Sequence, residues 1–322
     1  MVSVIVPSFK RANLLRKTLP TYIQGNVTEL ILVDDCSPDD TAQVVESMIK
    51  DYPMIRYFRN PNNLRQPASK NVGIDKAVGD YIYFGDDDSI LLPDSIDCLV
   101  ETMEKYSCDA VMARPIVAGS DYRDDKREEY LKWRLKRNGV NDVKDIVDIQ
   151  HLRFNFGKYI KTLQPIQVPT CHAGALVKTE LARTCRFDPN FKGCAYREET
   201  DFFFRLNLDH NAKLMYDARA VQMNLPDYMV KNTGAREGGY STWRQSAVEC
   251  NLYFLRKNWK KICAKYGIER SIEEMQAEFE NSLPMQAPKT NPLKAMLKQL
   301  YFQLFVYKNK CSPIRSLVRS KW

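Results

Sequence analysis

Residues Tyr81-Ile82-Tyr83-Phe84-Gly85-Asp86-Asp87-Asp88-Ser89 decide how this chain is read. A short apolar, aromatic run of strand-forming residues ends in three consecutive carboxylates. Adjacent acids repel, and folding alone does not call for three of them at a strand end. A hard divalent cation, Mg2+ or Mn2+, accounts for them, because it takes oxygen ligands and leaves positions for substrate phosphates. The plain alternative is a solvated acidic turn with an N-cap from Ser89 or Asp94.

The same pattern recurs upstream. Val2–Val6 reads as a buried strand that stops at Pro7-Ser8-Phe9-Lys10-Arg11, and Glu29–Val33 as a second that stops at Asp34-Asp35-Cys36-Ser37. Ile55–Phe58 is a third strand, and Tyr81–Gly85 the fourth. Helical spacing fills the gaps: Leu14, Leu15, Thr18, Leu19 and Tyr22; then Val44, Val45, Met48 and Ile49; then Gln66–Ala77 with Lys70 near its start. Alternating strands and helices predict crossover units, a mostly parallel central sheet and an α/β fold. In such a sheet the polar loops after the strands share one edge, where ligands bind. Phe9, Asp34, Asp35 and Asp86–Asp88 are therefore expected to converge. No GxGxxG follows the first strand and no GxxxxGK[ST] occurs, which disfavours dinucleotide and P-loop sites.

Composition sets outer limits. The 322 residues suit one large α/β domain with an appendage, or two domains. Met1 runs straight into a strand-like segment, so no secretory signal is expected, and no apolar run is long enough to span a bilayer. Nine cysteines, an odd number without CxxC spacing, predict reduced thiols and a cytoplasmic setting. The net charge of +8 is carried by the tail, where Lys289, Lys294, Lys298, Lys308, Lys310, Arg315, Arg319 and Lys321 meet no acid after Leu283. With a formally neutral body and no recognition motif, nucleic acid is not an expected partner.

Taken in order and spacing, several stretches resemble glycosyltransferase family 2 with its GT-A fold. Val2-Ser3-Val4-Ile5-Val6-Pro7-Ser8-Phe9 is similar to the opening strand and loop of that family. Leu32-Val33-Asp34-Asp35-Cys36-Ser37-Pro38-Asp39 resembles its VVDDGSTD stretch, Ser69-Lys70-Asn71-Val72-Gly73 its ARNxG, and Asp86–Asp88 its DxD segment. The resemblance implies a nucleotide-sugar donor held by Pro7, Phe9, Asp34, Asp35, Lys70, Asp86 and Asp87. Phe9 and Asp35 would touch the base, and Lys70 would lie near the diphosphate. The implied metal, Mn2+ or Mg2+, is ligated by Asp88, with Asp86 close by. Asn224 stands where many relatives have a ligating histidine.

Farther along, Asp109–Val117 reads as a strand, and the charged stretch 121–150 as an insertion of helices covering the site. Thr170–Val177 reads as a strand entering the site, placing His172 as an acceptor contact or as a structural histidine. Lys213–Tyr216 and Ala220–Leu225 read as two short strands. Glu198-Glu199-Thr200-Asp201 opens a helix. Acids there favour the helix dipole in any case, but the segment also resembles the family's EDxDxxxR, in which an Asp is the general base. Glu199 is the matching residue, with Glu198 as its competitor and Asp201 as an acceptor contact. Gly234–Tyr240 reads as a loop that closes over the diphosphate or merely connects.

The division expected is a catalytic domain over 1–225, with a donor half to residue 117 and an acceptor half beyond it. A helical extension (226–282) and a basic amphipathic tail (283–322) follow. Leu293, Met296, Leu297, Leu300, Tyr301, Leu304 and Phe305 form an apolar stripe beside lysines. That pattern predicts peripheral contact of 291–322 with the cytoplasmic face of a membrane, or docking on protein. The function implied is inverting, metal-assisted sugar transfer to a glycan or lipid-linked hydroxyl in cell-surface polysaccharide or glycoconjugate synthesis. The alternatives are a nucleotidyltransferase and an inactive, membrane-bound sugar-binding scaffold.

Overall fold

A computed structural model describes residues 1–230 and 239–285. The glycine-rich loop expected over 234–240 falls almost wholly outside the described residues, as does the apolar stripe at 293–305.

The four strands predicted at the front of the chain form one half of a nine-stranded sheet, with the third of them at its edge. β1 (Val2–Ser8) lies between β2 (Val27–Asp34) and β4 (Tyr81–Phe84), parallel to both, and β3 (Ile55–Arg59) adds in parallel beside β2. Alternate residues of these strands feed opposite faces. Ile5, Ile31, Val33, Ile82 and Phe84 join one core cluster; Val4, Val6, Leu30, Leu32 and Tyr83 join the other. The first face is covered by α3 (Arg65–Lys76), α6 (Thr179–Cys185) and α7 (Glu198–Asp209). The second is covered by α1 (Ala12–Thr18), α2 (Thr41–Ile49) and α4 (Ser95–Tyr106).

Beyond β4 the sheet becomes mixed rather than staying mostly parallel. The Ala175–Lys178 strand runs antiparallel to both β4 and β6 (Ala110–Val117). The chain returns from the insertion straight across the sheet, so no crossover helix is needed there. The two short strands expected near 213–225 are one, Leu214–Asn224, parallel to β6, with a register shift between Asp217 and Val221. β5 (Ser89–Leu91) and Ile166–Gln167 pair antiparallel with it.

The charged insertion contains a single α-helix, α5 (Arg127–Leu135), followed by 3-10 turns and two-residue strands. The strand expected over 170–177 begins only at Ala175, and residues 170–174 run irregularly toward the sheet edge. At the far end, a helix over Gly239–Tyr266 packs on α7 through Phe204, Phe254, Leu255 and Trp259, and Ile272–Ser282 closes over it. The cysteines among the described residues are free thiols. Among the same residues no helix is long and apolar enough to cross a membrane.

Gly73 sits where α3 presses on β1. A Cβ there would lie 2.4 Å from Ile5 Cγ2. The clash should outweigh the helix propensity that alanine gains. Gly73→Ala is expected to lower unfolding free energy by about 1–3 kcal/mol, read from the denaturant midpoint at constant slope.

Candidate active site

The ends of β1, β2 and β4 meet at one edge because their register is fixed: Ser8 pairs with Asp34 and Ile5 with Phe84. Just beyond them lies a cavity of about 170 Å³ whose wall includes Pro7, Phe9, Asp35 and Asp86–Asp88. Asp35 is held by the start of α3, accepting hydrogen bonds from Leu64 N (2.7 Å), Arg65 N (2.8 Å) and Asn60 Nδ2 (2.9 Å). Asp34 does not join it. Its carboxylate is fully buried on the other side, taken by Tyr57 Oη (2.6 Å), Arg59 Nη1 (2.8 Å) and Ser37 N (2.8 Å). Asp34 thus ties the edge of β2 to β3 and does not line the cavity.

The three acids are crowded and poorly hydrated. Gly85 is required before them, since a Cβ would come within 2.8 Å of the Tyr22 ring. The Tyr22 hydroxyl accepts from Asp86 N (3.1 Å) and donates to Asp86 O (2.9 Å), fixing the turn. Gln222 Nε2 donates to Asp86 Oδ2 (2.9 Å), and Tyr83 Oη orients that amide (2.7 Å). Burial, then the charges of Glu199 and Asp88, push the Asp86 carboxyl well above its usual range. Burial and Asp88 raise Asp87 to about 7. The Arg11 guanidinium offsets part of this repulsion, with Nε 3.5 Å from Asp87 Oδ1 and Nη2 3.3 Å from Asp88 Oδ2; Nη1 donates to Val230 O (3.1 Å).

All-oxygen donors with excess negative charge suit a hard divalent cation. Among the described residues no three acidic, histidine or cysteine side chains converge on one point. The fit is therefore to one or two of these carboxylates completed by phosphate oxygens and water. Asn224 is in register with Ser89, next to the Leu225 N–Asp88 O hydrogen bond (2.8 Å), and lines neither this cavity nor the one below.

Lys70 is not at the cavity expected for a diphosphate contact. Its ammonium is completely buried and bridges Glu198 Oε1 (2.7 Å) and Glu199 Oε1 (2.5 Å). Burial opposes the ammonium, but Glu198 and Glu199 outweigh it and hold Lys70 above its ordinary value. The two glutamates split. Burial lifts Glu198 to about 8 against the pull of Lys70, and its Oε2 has no hydrogen-bond partner among the described residues. For Glu199 burial is outweighed by Lys70, by His172 and by the hydrogen bond from Ala173 N (2.9 Å), so its carboxyl falls below the usual range. Glu199 is thus the carboxylate that stays ionised, with its side chain 19% exposed against 4% for Glu198.

Glu199 opens onto a second cavity of about 530 Å³, whose wall includes His172, Tyr196, Arg197 and residues of the 272–282 helix. Burial lowers His172, partly opposed by Glu199, so the ring is neutral near pH 7; it lies 5.3 Å from the Phe156 ring. Asp201 faces away. Its fully buried carboxylate accepts from Arg205 Nε (2.8 Å), Asn258 Nδ2 (2.8 Å) and Lys257 Nζ (3.0 Å), binding α7 to the 239–266 helix. The acceptor contact expected of Asp201 is therefore replaced by a structural ion pair. Gln66, Cys194 and Ala195 line both cavities and form their common wall.

The sequence profile described as Glycosyl transferase family 2 matches residues 3–172, more than half of the chain. The chain belongs to glycosyltransferase family 2. It is 40% identical over 103 residues to a GalNAc(5)-diNAcBac-PP-undecaprenol beta-1,3-glucosyltransferase of Campylobacter jejuni, covering 31% of this chain and 33% of that protein. It is 28% identical over 110 residues to the putative teichuronic acid biosynthesis glycosyltransferase TuaG of Bacillus subtilis, covering 34% and 44%. The matched segments thus span less than half of these relatives. Among solved structures, S. aureus TarS 1-349 in complex with UDP-GlcNAc aligns with a TM-score of 0.54 at 17% identity, over 87% of this chain and 71% of that one. Mannosyltransferase PcManGT from Pyrobaculum calidifontis, in complex with GDP-Man and Mn2+, aligns at 0.57 and 14% identity, over 100% and 88%. Both share the GT-A architecture.

In this family-2 chain several cavity residues were not singled out from the sequence. Arg11 and the exposed Arg65 supply cations to the smaller cavity, where Lys70 does not reach. Gln222 and Arg197 act from opposite ends of the site. Arg11 lies in the loop after β1, but its ion pairs span more than seventy residues and leave no local signal.

The sign of the pH effect follows from Glu199. A carboxyl whose pKa is lowered stays ionised down to that lowered pKa and is protonated only as pH falls through it. Lys70→Met removes the group that depresses it. This variant should lose about 3–5 kcal/mol of stability by stranding buried charge. The acidic limb of its pH–rate profile should move to higher pH.

Proposed function

We propose that the protein is an inverting, divalent-metal-assisted glycosyltransferase. It transfers a sugar from a nucleoside-diphosphate sugar to a hydroxyl of a glycan or lipid-linked acceptor. One observation carries this reading. Two cavities share a wall, with Asp86–Asp88 on one side and an ionised glutamate, Glu199, on the other.

The donor fits the smaller cavity, its base against Phe9 and Asp35 and its diphosphate toward Asp86–Asp88, with Arg11 and Arg65 as added cations. Mn2+ or Mg2+ held by Asp88 and Asp86 would supply electrostatic stabilisation of the departing diphosphate. Glu199 takes the proton of the acceptor hydroxyl as that oxygen bonds to C1 of the sugar and the C1–O bond to the diphosphate breaks. Attack from the side opposite the leaving group inverts the anomeric centre. The neutral His172 beside Glu199 suits a hydrogen bond to the acceptor.

The Campylobacter relative is named for a polyprenyl-linked acceptor, and TuaG for teichuronic acid biosynthesis. Those names support a lipid-linked or cell-surface glycan product. The basic, apolar-striped sequence of 291–322 supports peripheral contact at the cytoplasmic face of a membrane. Family membership sets aside the nucleotidyltransferase reading.

The test is melting temperature against a panel of nucleoside diphosphates, with and without Mn2+. A rise is expected for one base. It should require the metal, reach about 2.7 kcal/mol of stabilisation at one hundred times Kd, and vanish in Asp88→Ala. No shift for any nucleotide at saturating metal would overturn the donor site and favour the inactive scaffold.

A further inference from the structure

We infer that the acceptor carries an anionic group, a carboxylate or a phosphate, which Arg197 binds. The inference rests on the transferase reading above and names the substrate class of its larger cavity.

Charge balance around that cavity singles out Arg197. Lys70 is matched by Glu198 and Glu199. Glu278 is shared by Arg153 and Arg270, and His151 faces Asp148. Arg197 has no carboxylate within 4.0 Å among the described residues. Its guanidinium donates to Asn251 Oδ1 (3.2 Å) and Leu152 O (3.4 Å), two acceptors for five donors. It is also half-buried among aromatic rings. The rings of Tyr196, Phe254 and Phe279 lie 5.3, 5.7 and 5.9 Å from its centre, and burial pulls its pKa below the ordinary value. An arginine stays protonated even so. A partly desolvated cation without a counter-ion is unfavourable, and a bound anion relieves it.

The position suits recognition during transfer. Arg197 adopts a left-handed backbone (φ 71°) that opens α7, so it immediately precedes the glutamate pair. Its neighbours Tyr196 and Phe279 line the same cavity and offer apolar faces to a sugar ring. An acidic sugar or a phosphate-bearing unit would thus have its charge on Arg197 and a free hydroxyl at Glu199. A purely structural Arg197, riveting residue 152 to the 239–266 helix, would leave acceptor charge irrelevant.

The experiment uses the full chain loaded with the nucleoside diphosphate that raises its melting temperature, with Mn2+. Calorimetry compares methyl glucuronide, methyl glucoside and glycerol phosphate. Either charged probe should bind at least about tenfold more tightly than methyl glucoside, and which of the two does so tells a carboxylate from a phosphate. Arg197→Gln should abolish the preference and Arg197→Lys should restore part of it. Equal affinity of the three probes for the wild-type protein overturns the inference, as does failure of both charged probes to bind. So does a preference that survives in Arg197→Gln. The wild-type comparison stands even if that variant does not fold. Failure of any nucleotide to bind would instead count against the transferase reading itself.

Discussion

The Lys70 ammonium holds the two halves of this site together. It comes from α3, which packs on β1 and β2, and ends on Glu198 and Glu199, which open α7. A buried cation is tolerated only when paired, and two carboxyls brought together in a buried site are eased by a cation between them. The pair of contacts at Lys70 therefore satisfies both demands and locks α7 against α3. It also separates the glutamates chemically. Glu198, the more deeply buried of the two, is raised by burial, and Glu199, which also receives a backbone N–H, is kept ionised. A pair of carboxyls driven apart in this way is a common arrangement for acid–base work.

A second constraint sits across the common wall. Asp86–Asp88 gather more negative charge than Arg11 and the Gln222 amide relieve. Native folding accepts that repulsion because β1 and β4 are fixed by apolar burial on both faces of the sheet. In the reading proposed above, a divalent cation would relieve that excess of negative charge and in turn attract the donor diphosphate. The two constraints are coupled, since Asp86 feels the charge of Glu199 directly.

Much of this was legible in the sequence, for reasons tied to particular residues. The buried strands at 2–6, 29–33 and 81–84 announce themselves by apolar runs cut off by polar turns, and the converging loops follow from parallel pairing. What was misread concerns side-chain direction. Asp34 and Asp35 are neighbours at a strand end, so they point to opposite faces, and only Asp35 reaches the cavity. Asp201 lies two residues past Glu199 on a helix, hence on a different face, where Arg205 and Lys257 claim it. The family resemblance placed Lys70 near a diphosphate; its partners in the structure lie 128 and 129 residues away, beyond the reach of local reading. The antiparallel Ala175–Lys178 strand was hidden because a fully buried run looks the same in either direction.

The assignment of Glu199 over Glu198 rests on the division of charge at Lys70, and one comparison tests it most directly. Donor affinity and turnover are measured for Glu199→Gln and Glu198→Gln side by side. Glu199→Gln should keep donor binding and lose turnover by on the order of a hundred- to ten-thousandfold. Glu198→Gln, close in shape to the protonated acid, should keep most of its turnover. The reverse pattern, with turnover lost in Glu198→Gln and kept in Glu199→Gln, would contradict the account.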